Sequence, residues 1–151
     1  MLKRPRKKRK ILGEHILRKS LANRFKKKLG DFYYENTTKI VFPDSGKNIF
    51  CICSSFYEEE SKWFWGIPKK YWNNWQSNDL LALVLQNEIG RYSFILLTSQ
   101  EAKSLIAKLG MDKYENKKIN MRIYKEDDEI RFEKDKSFDV NNRMRMLKID
   151  F

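Results

Sequence analysis

The chain has 151 residues, 41% of them apolar and 14% aromatic, and a formal net charge of +12. That length and apolar share suit one folded domain with a substantial core. A single histidine and two cysteines leave too few soft ligands for a four-coordinate zinc site without carboxylates, and the longest apolar run, LLALVL, is far too short to span a bilayer.

The charge is segregated. Residues 1–30 hold Lys3, Arg4, Arg6, Lys7, Lys8, Arg9, Lys10, Arg18, Lys19, Arg24, Lys26, Lys27 and Lys28 against one acid, Glu14, whereas residues 31–151 hold 19 basic and 19 acidic residues. A dense cationic arm concentrates polyanions within about a Debye length, and a neutral body gives no general reason to do so. The thirteen N-terminal cations are therefore the expected phosphate contacts of a nucleic acid. The chain divides into a basic tail at 1–10, a basic amphipathic helix at 11–30 and a single α+β domain at 31–151. The run KRPRKKRK would also serve as a nuclear localisation signal in a eukaryotic cell. No apolar h-region follows the basic start, so no secretory signal is read.

In ILGEHILRKSLANRFKKKLG, Leu17, Leu21, Phe25 and Leu29 step by four, which predicts one apolar stripe on a helix that starts near Glu14 and stops at Gly30. From Asp31 the period shifts towards two. DFYYENTTKIVF, KNIFCICSS and KWFWGI, separated by turn signals at PDSG and EEES, predict a three-stranded meander. Cys51 and Cys53 share one strand face, where neighbours rarely bridge, so reduced thiols and an intracellular compartment are expected, cytoplasmic or, in a eukaryote, nuclear. PKKYWNNW reads as a short helix or structured loop. LLALVLQNE and RYSFILLTS predict two strands around an Ile89-Gly90 turn, the first apolar on both faces and therefore central.

Thr98 and Glu101 form a capping box for a helix at 99–109 with the stripe Ala102, Leu105, Ile106 and Leu109. KKINMRIYKEDDEIRFEK predicts a hairpin turning at its acidic cluster, and RMRMLKIDF a last strand. The fold class expected is α+β: a basic N-terminal helix, a mainly antiparallel sheet of about six to eight strands, and one well-capped helix.

All four tryptophans fall in one segment, FYEEESKWFWGIPKKYWNNW. Trp63, Trp65, Lys69, Lys70, Tyr71, Trp72 and Trp75 are the expected stacking face for an unpaired base or other ligand, because aromatic rings interleaved with lysines suit that contact. The Glu58-Glu59-Glu60 run would have to point away from any bound phosphate.

In the same region, Pro43-Asp44 followed by Glu60-Ser61-Lys62 resembles the signature of PD-(D/E)XK nucleases. The resemblance implies Asp44 and Glu60 as ligands of a Mg²⁺ ion and Lys62 as the catalytic lysine. An extended strand between the two carboxylates would hold them roughly 25 Å apart, whereas that family brings them together across paired strands.

The leading expectation is thus a nucleic-acid-binding module without a resident metal or cofactor, with DNA favoured slightly over RNA because neither an aromatic RNP strand nor a GXXG loop is present. The alternatives are the Mg²⁺-dependent nuclease, an RNA- or ribosome-associated protein, and a protein-interaction or membrane-surface module. The narrow helix stripe, which lacks tryptophan, disfavours the last of these. The chain could also work inside a larger assembly.

Overall fold

The computed structural model describes residues 11–68, 70, 74–88, 90–109, 118–126, 129–133 and 138–151, with 88, 118, 126 and 129 by backbone alone. In chain order its elements are α1 (Glu14–Leu29), β1 (Tyr33–Tyr34), β2 (Lys39–Phe42), β3 (Lys47–Ser54), β4 (Phe56–Tyr57), β5 (Lys62–Pro68), β6 (Asp79–Glu88), β7 (Arg91–Thr98), α2 (Ser99–Leu109), β8 (Lys118–Glu126), β9 (Glu129–Phe132), α3 (Val140–Arg143) and β10 (Met144–Leu147).

The strands form two sheets. The larger runs β1-β2-β3-β6-β7-β10, and the smaller runs β4-β5-β8-β9. Every pair is antiparallel except β3 with β6, which run parallel from Asn48 opposite Asp79 to Ser54 opposite Leu85. The α+β class, the basic helix and the mainly antiparallel sheet are as the sequence predicts. The ten strands among the described residues exceed the expected six to eight partly because β1 and β4 have two residues each. The predicted three-stranded meander is corrected: β2 and β3 pair, but β5 leaves for the smaller sheet and pairs with β8.

β6 shows why the LLALVL run is apolar throughout. Leu81, Leu83 and Leu85 face one core, shared with Trp63, Trp65 and Ile67 of β5, Met121 and Ile123 of β8, and Leu105 and Ile106 of α2. Ala82 and Val84 face a second core under Leu17, Leu21 and Ala22 of α1. A strand buried on both sides has no position for a polar alternation. The molecule is accordingly layered as helix, large sheet, small sheet with α2. α1 closes one face of the large sheet.

The capping box is present with both bonds: Thr98 N donates to Glu101 Oε1 at 3.0 Å and Glu101 N to Thr98 Oγ1 at 3.1 Å. The Glu101 carboxylate also takes a two-pronged contact from Arg143, at 2.5 and 2.8 Å, while Arg143 Nη2 donates to Leu96 O. The Arg143 bonds are the largest influence on Glu101; with the Thr98 bonds they hold its carboxyl down to about 2, against the upward push of burial. Arg143 ends α3, a short helix that no sequence period announces, capped by the Asp139 carboxylate through Asn142 N.

Candidate nucleic-acid interface

Several contacts fix how α1 sits. Leu17 and Leu21 are fully buried against the sheet, and Phe25 meets Phe94 edge-on with ring centroids 5.8 Å apart. Near its start, Leu12 N donates to Tyr92 Oη at 3.0 Å. On its flank, Ser20 Oγ accepts from Asp150 N at 2.9 Å and Asn23 Nδ2 donates to Asp150 Oδ2 at 3.2 Å, so the C-terminal segment grips the helix.

With the stripe held inward, Lys19, Arg24, Lys26, Lys27 and Lys28 are exposed. The last three lie in the final turn, where cations also complement the helix dipole. Lys26 lies 3.6 Å from Asp31, a contact open to water on both sides. Arg18 behaves differently. It turns toward the β1–β2 loop, stacks its guanidinium 4.9 Å from the centre of the Tyr34 ring and donates from Nη1 to Thr37 O. Lys3 to Lys10 lie outside the described residues.

The tryptophan segment does not have the expected disposition. Trp63 and Trp65 are 2% and 1% exposed and act as staples between the two sheets: their indole N–H groups donate to the β6 carbonyls of Gln86 (2.7 Å) and Val84 (3.1 Å). Neither ring has a face left for a base, so their stacking role is corrected to a structural one. Large aromatics bury the most apolar area per residue, and period-two spacing says which rings share a face but not whether that face is covered. Trp75 is also buried, against Phe50 with centroids 5.5 Å apart, and its carbonyl accepts from Lys103 Nζ. Lys70 is exposed. Lys69, Tyr71 and Trp72 lie outside the described residues.

Phe50 and Trp75 form the floor of an open cleft of about 630 Å³ on the small-sheet side of β2 and β3. Lys39, Lys70, Asn36 and Asn74 stand around it. Lys39 is held by Glu35 at 2.9 Å and lies 5.8 Å from the Phe50 ring centre. Asn36 Oδ1 accepts from Thr38 N and Lys39 N, both at 2.8 Å, which shapes the loop between β1 and β2. Asp79, buried at the cleft wall, has both carboxylate oxygens occupied, by Asn48 Nδ2 and Gln76 N. The volume falls within the range of small-ligand sites.

The residues of the nuclease resemblance are placed at separate turns. Asp44 is exposed in the β2–β3 turn with its carboxylate against Gly30, and Glu60 is in the β4–β5 turn, ion-paired with the buried Lys62. Eight residues of β3 run between those turns, a span of about 26 Å. The structure brings Glu60 and Lys62 together and leaves Asp44 apart. Among the described residues no group of three or more His, Cys, Asp or Glu is gathered that could hold a metal ion.

Two residues absent from the sequence-derived candidates become prominent in the structure. Tyr33 and Tyr34 are 53% and 42% exposed on the edge strand β1. A signal for them exists: FYY is hemmed between the helix stop at Gly30 and the loop at Asn36, too short a strand to hide its rings.

Comparison with family models, curated proteins and solved structures finds no match for this chain. No helix among the described residues is long and apolar enough to cross a membrane.

Proposed function

We propose that this chain is a nucleic-acid-binding module in which the N-terminal arm and α1 supply phosphate contacts, with DNA favoured slightly over RNA. The observation that carries the reading is the docking of α1. Its apolar stripe is locked onto the sheet, so Lys19, Arg24, Lys26, Lys27 and Lys28 are presented outward from one rigid element that follows the basic tail in sequence. Cations held on a fixed helix lose less entropy on meeting phosphate than the same cations on a coil. Such contacts give affinity and orientation rather than sequence discrimination. An intracellular setting belongs to the same reading and is supported by the unbridged thiols of Cys51 and Cys53. Hydrogen bonding to Cys51, and then burial, push the Cys53 thiol well above its ordinary range, which disfavours a reactive thiolate there.

The test is binding of the full chain to labelled nucleic acid across a salt series. If the arm and helix neutralise about six phosphates, affinity falls roughly 10³-fold between about 50 and 200 mM salt. Replacing Lys26, Lys27 and Lys28 together by alanine is expected to flatten the slope of log affinity on log salt, by about 0.9 for each phosphate of duplex DNA that is no longer neutralised. Absence of binding at low salt by the full chain would overturn the reading.

A further inference from the structure

We propose that the edge strand β1 is a stacking platform for an unpaired polynucleotide strand, which passes from the cationic face of α1 over Tyr34, around the sheet edge to Tyr33, and on toward the cleft floored by Phe50 and Trp75. This rests on the nucleic-acid reading above and adds to it the form of the ligand.

Three observations converge on this path. The first is exposure: after Phe151 these two tyrosines are the most exposed aromatic rings of the described residues, while Trp63, Trp65, Trp75, Phe50 and Phe94 are all under a tenth exposed. Most other large rings of the described residues are buried or half-buried, and these two stand at the open edge of the sheet. The second is direction. Tyr34 is opposite Ile40, which lies beneath α1, whereas Tyr33 is opposite Val41 on the other face, the face of Lys39 and the cleft. Neighbouring residues of one strand thus present a ring to each side of the edge. The third is charge. Arg18 lies over Tyr34 on the helix side, and Lys70 and the Glu35-paired Lys39 border the cleft on the other, so both faces of this edge carry cations along the proposed path.

Stacking on tyrosine requires an accessible base face, which an unpaired strand offers along its length and a duplex keeps within its own stack. At the cleft the Asn74 amide provides a donor and an acceptor for a base edge or a 2′-hydroxyl, and Asn36, whose Oδ1 is taken by Thr38 N and Lys39 N, provides a donor. Glu35 and Asp79 in the same cleft disfavour a phosphate at depth, so the base enters and the backbone stays at the rim with Lys70.

The experiment measures anisotropy of labelled oligo(dT), oligo(U) and a DNA duplex with the full-length protein and its variants. Y33A and Y34A are each expected to weaken single-strand binding about tenfold while leaving duplex affinity and the salt slope unchanged. Y33F is expected to bind as the parent does, because the ring and not the hydroxyl makes the contact. Y33A is the cleaner variant, since Tyr34 also packs edge-on against Phe32; matched circular dichroism and melting temperature establish that each variant is folded. A preference for oligo(dT) or oligo(U) over the duplex supports the proposal, and oligo(dU) then separates the contribution of the sugar from that of the thymine methyl. Unchanged single-strand affinity in folded Y33A and Y34A overturns it while duplex binding leaves the basic-helix reading standing. If those variants instead change the sedimenting mass of the protein alone, the edge is a self-association surface and the proposal also falls. No binding of any polymer by the parent protein removes both readings.

Discussion

Two aromatic pairs, Trp63/Trp65 and Tyr33/Tyr34, occupy short strands beside lysines or arginines, and the structure treats them in opposite ways. The tryptophans belong to β5, seven residues long and flanked in its sheet by β4 and β8, with the large sheet over one face. The tyrosines belong to a two-residue strand at the sheet edge, with nothing paired beyond them among the described residues. What separates the pairs is position in the sheet. Ring size and local sequence would have ranked the tryptophans first for binding, whereas accessibility favours the tyrosines.

The largest effect that tests this contrast comes from the tryptophans. Trp63→Ala is expected to cost about 3–5 kcal/mol, a cavity plus a β6 carbonyl deprived of its donor, measured by chemical denaturation. Any of the variant that remains folded should bind nucleic acid as the parent does, and a selective loss of binding at preserved stability would break the comparison.

Gly30→Ala comes next. Gly30 has φ 92° and ψ −164°, a conformation essentially confined to glycine, and a Cβ there would lie 3.2 Å from Asp44 Oδ2. Since this residue turns the chain from α1 into β1, its substitution is expected to cost about 1–3 kcal/mol in the same denaturation measurement and to disturb the placement of the tyrosines.

A third effect is smaller and belongs to the buried side. Glu101→Gln loses the charged partner of Arg143 and is expected to cost about 1 kcal/mol, because the pair is partly open to water. The pH dependence follows from the lowered carboxyl. The folded protein holds Glu101 at about 2, below its value in the unfolded chain. The contribution is therefore complete above the unfolded pKa, about 4.3, and is lost as pH falls toward 2. Thermal melts across that interval should show the parent losing this increment and the Gln variant lacking it throughout. Smallest of all, Tyr33→Ala is expected to shift stability by under about 0.5 kcal/mol, as for other exposed positions. A large loss of stability there would show that the ring is structural after all.

The elements most legible in the sequence were those set by local chemistry. α1 could be bounded because Leu17, Leu21, Phe25 and Leu29 share a period and Gly30 ends it, and α2 because Thr98 and Glu101 satisfy each other's backbone donors. β6 could be placed centrally because its two faces are equally apolar. Pairing was not legible: nothing in KWFWGI says that it prefers β8, beyond α2, to its neighbour β3, since strand partners are chosen by long-range packing. α3 escaped because four residues carry no period. For the site, the outward cations of α1 follow from the stripe, but the tyrosines do not stand out until β1 is seen to be an edge.

The parallel junction of β3 with β6 has a kinetic consequence. Each half of the large sheet has local partners, β2 with β3 on one side and β6 with β7 on the other, but joining them requires residues such as Asn48 and Asp79 to meet across 31 positions. The intervening chain must at the same time form β4 and β5 and deliver them to another sheet. Loop closure of that length is unfavourable until the pairing beyond it forms, so refolding speed is expected to be governed by the closing of this junction. Substitutions at Asn48 or Asp79 should slow folding, and changes confined to the outer turn of the β2–β3 hairpin should not.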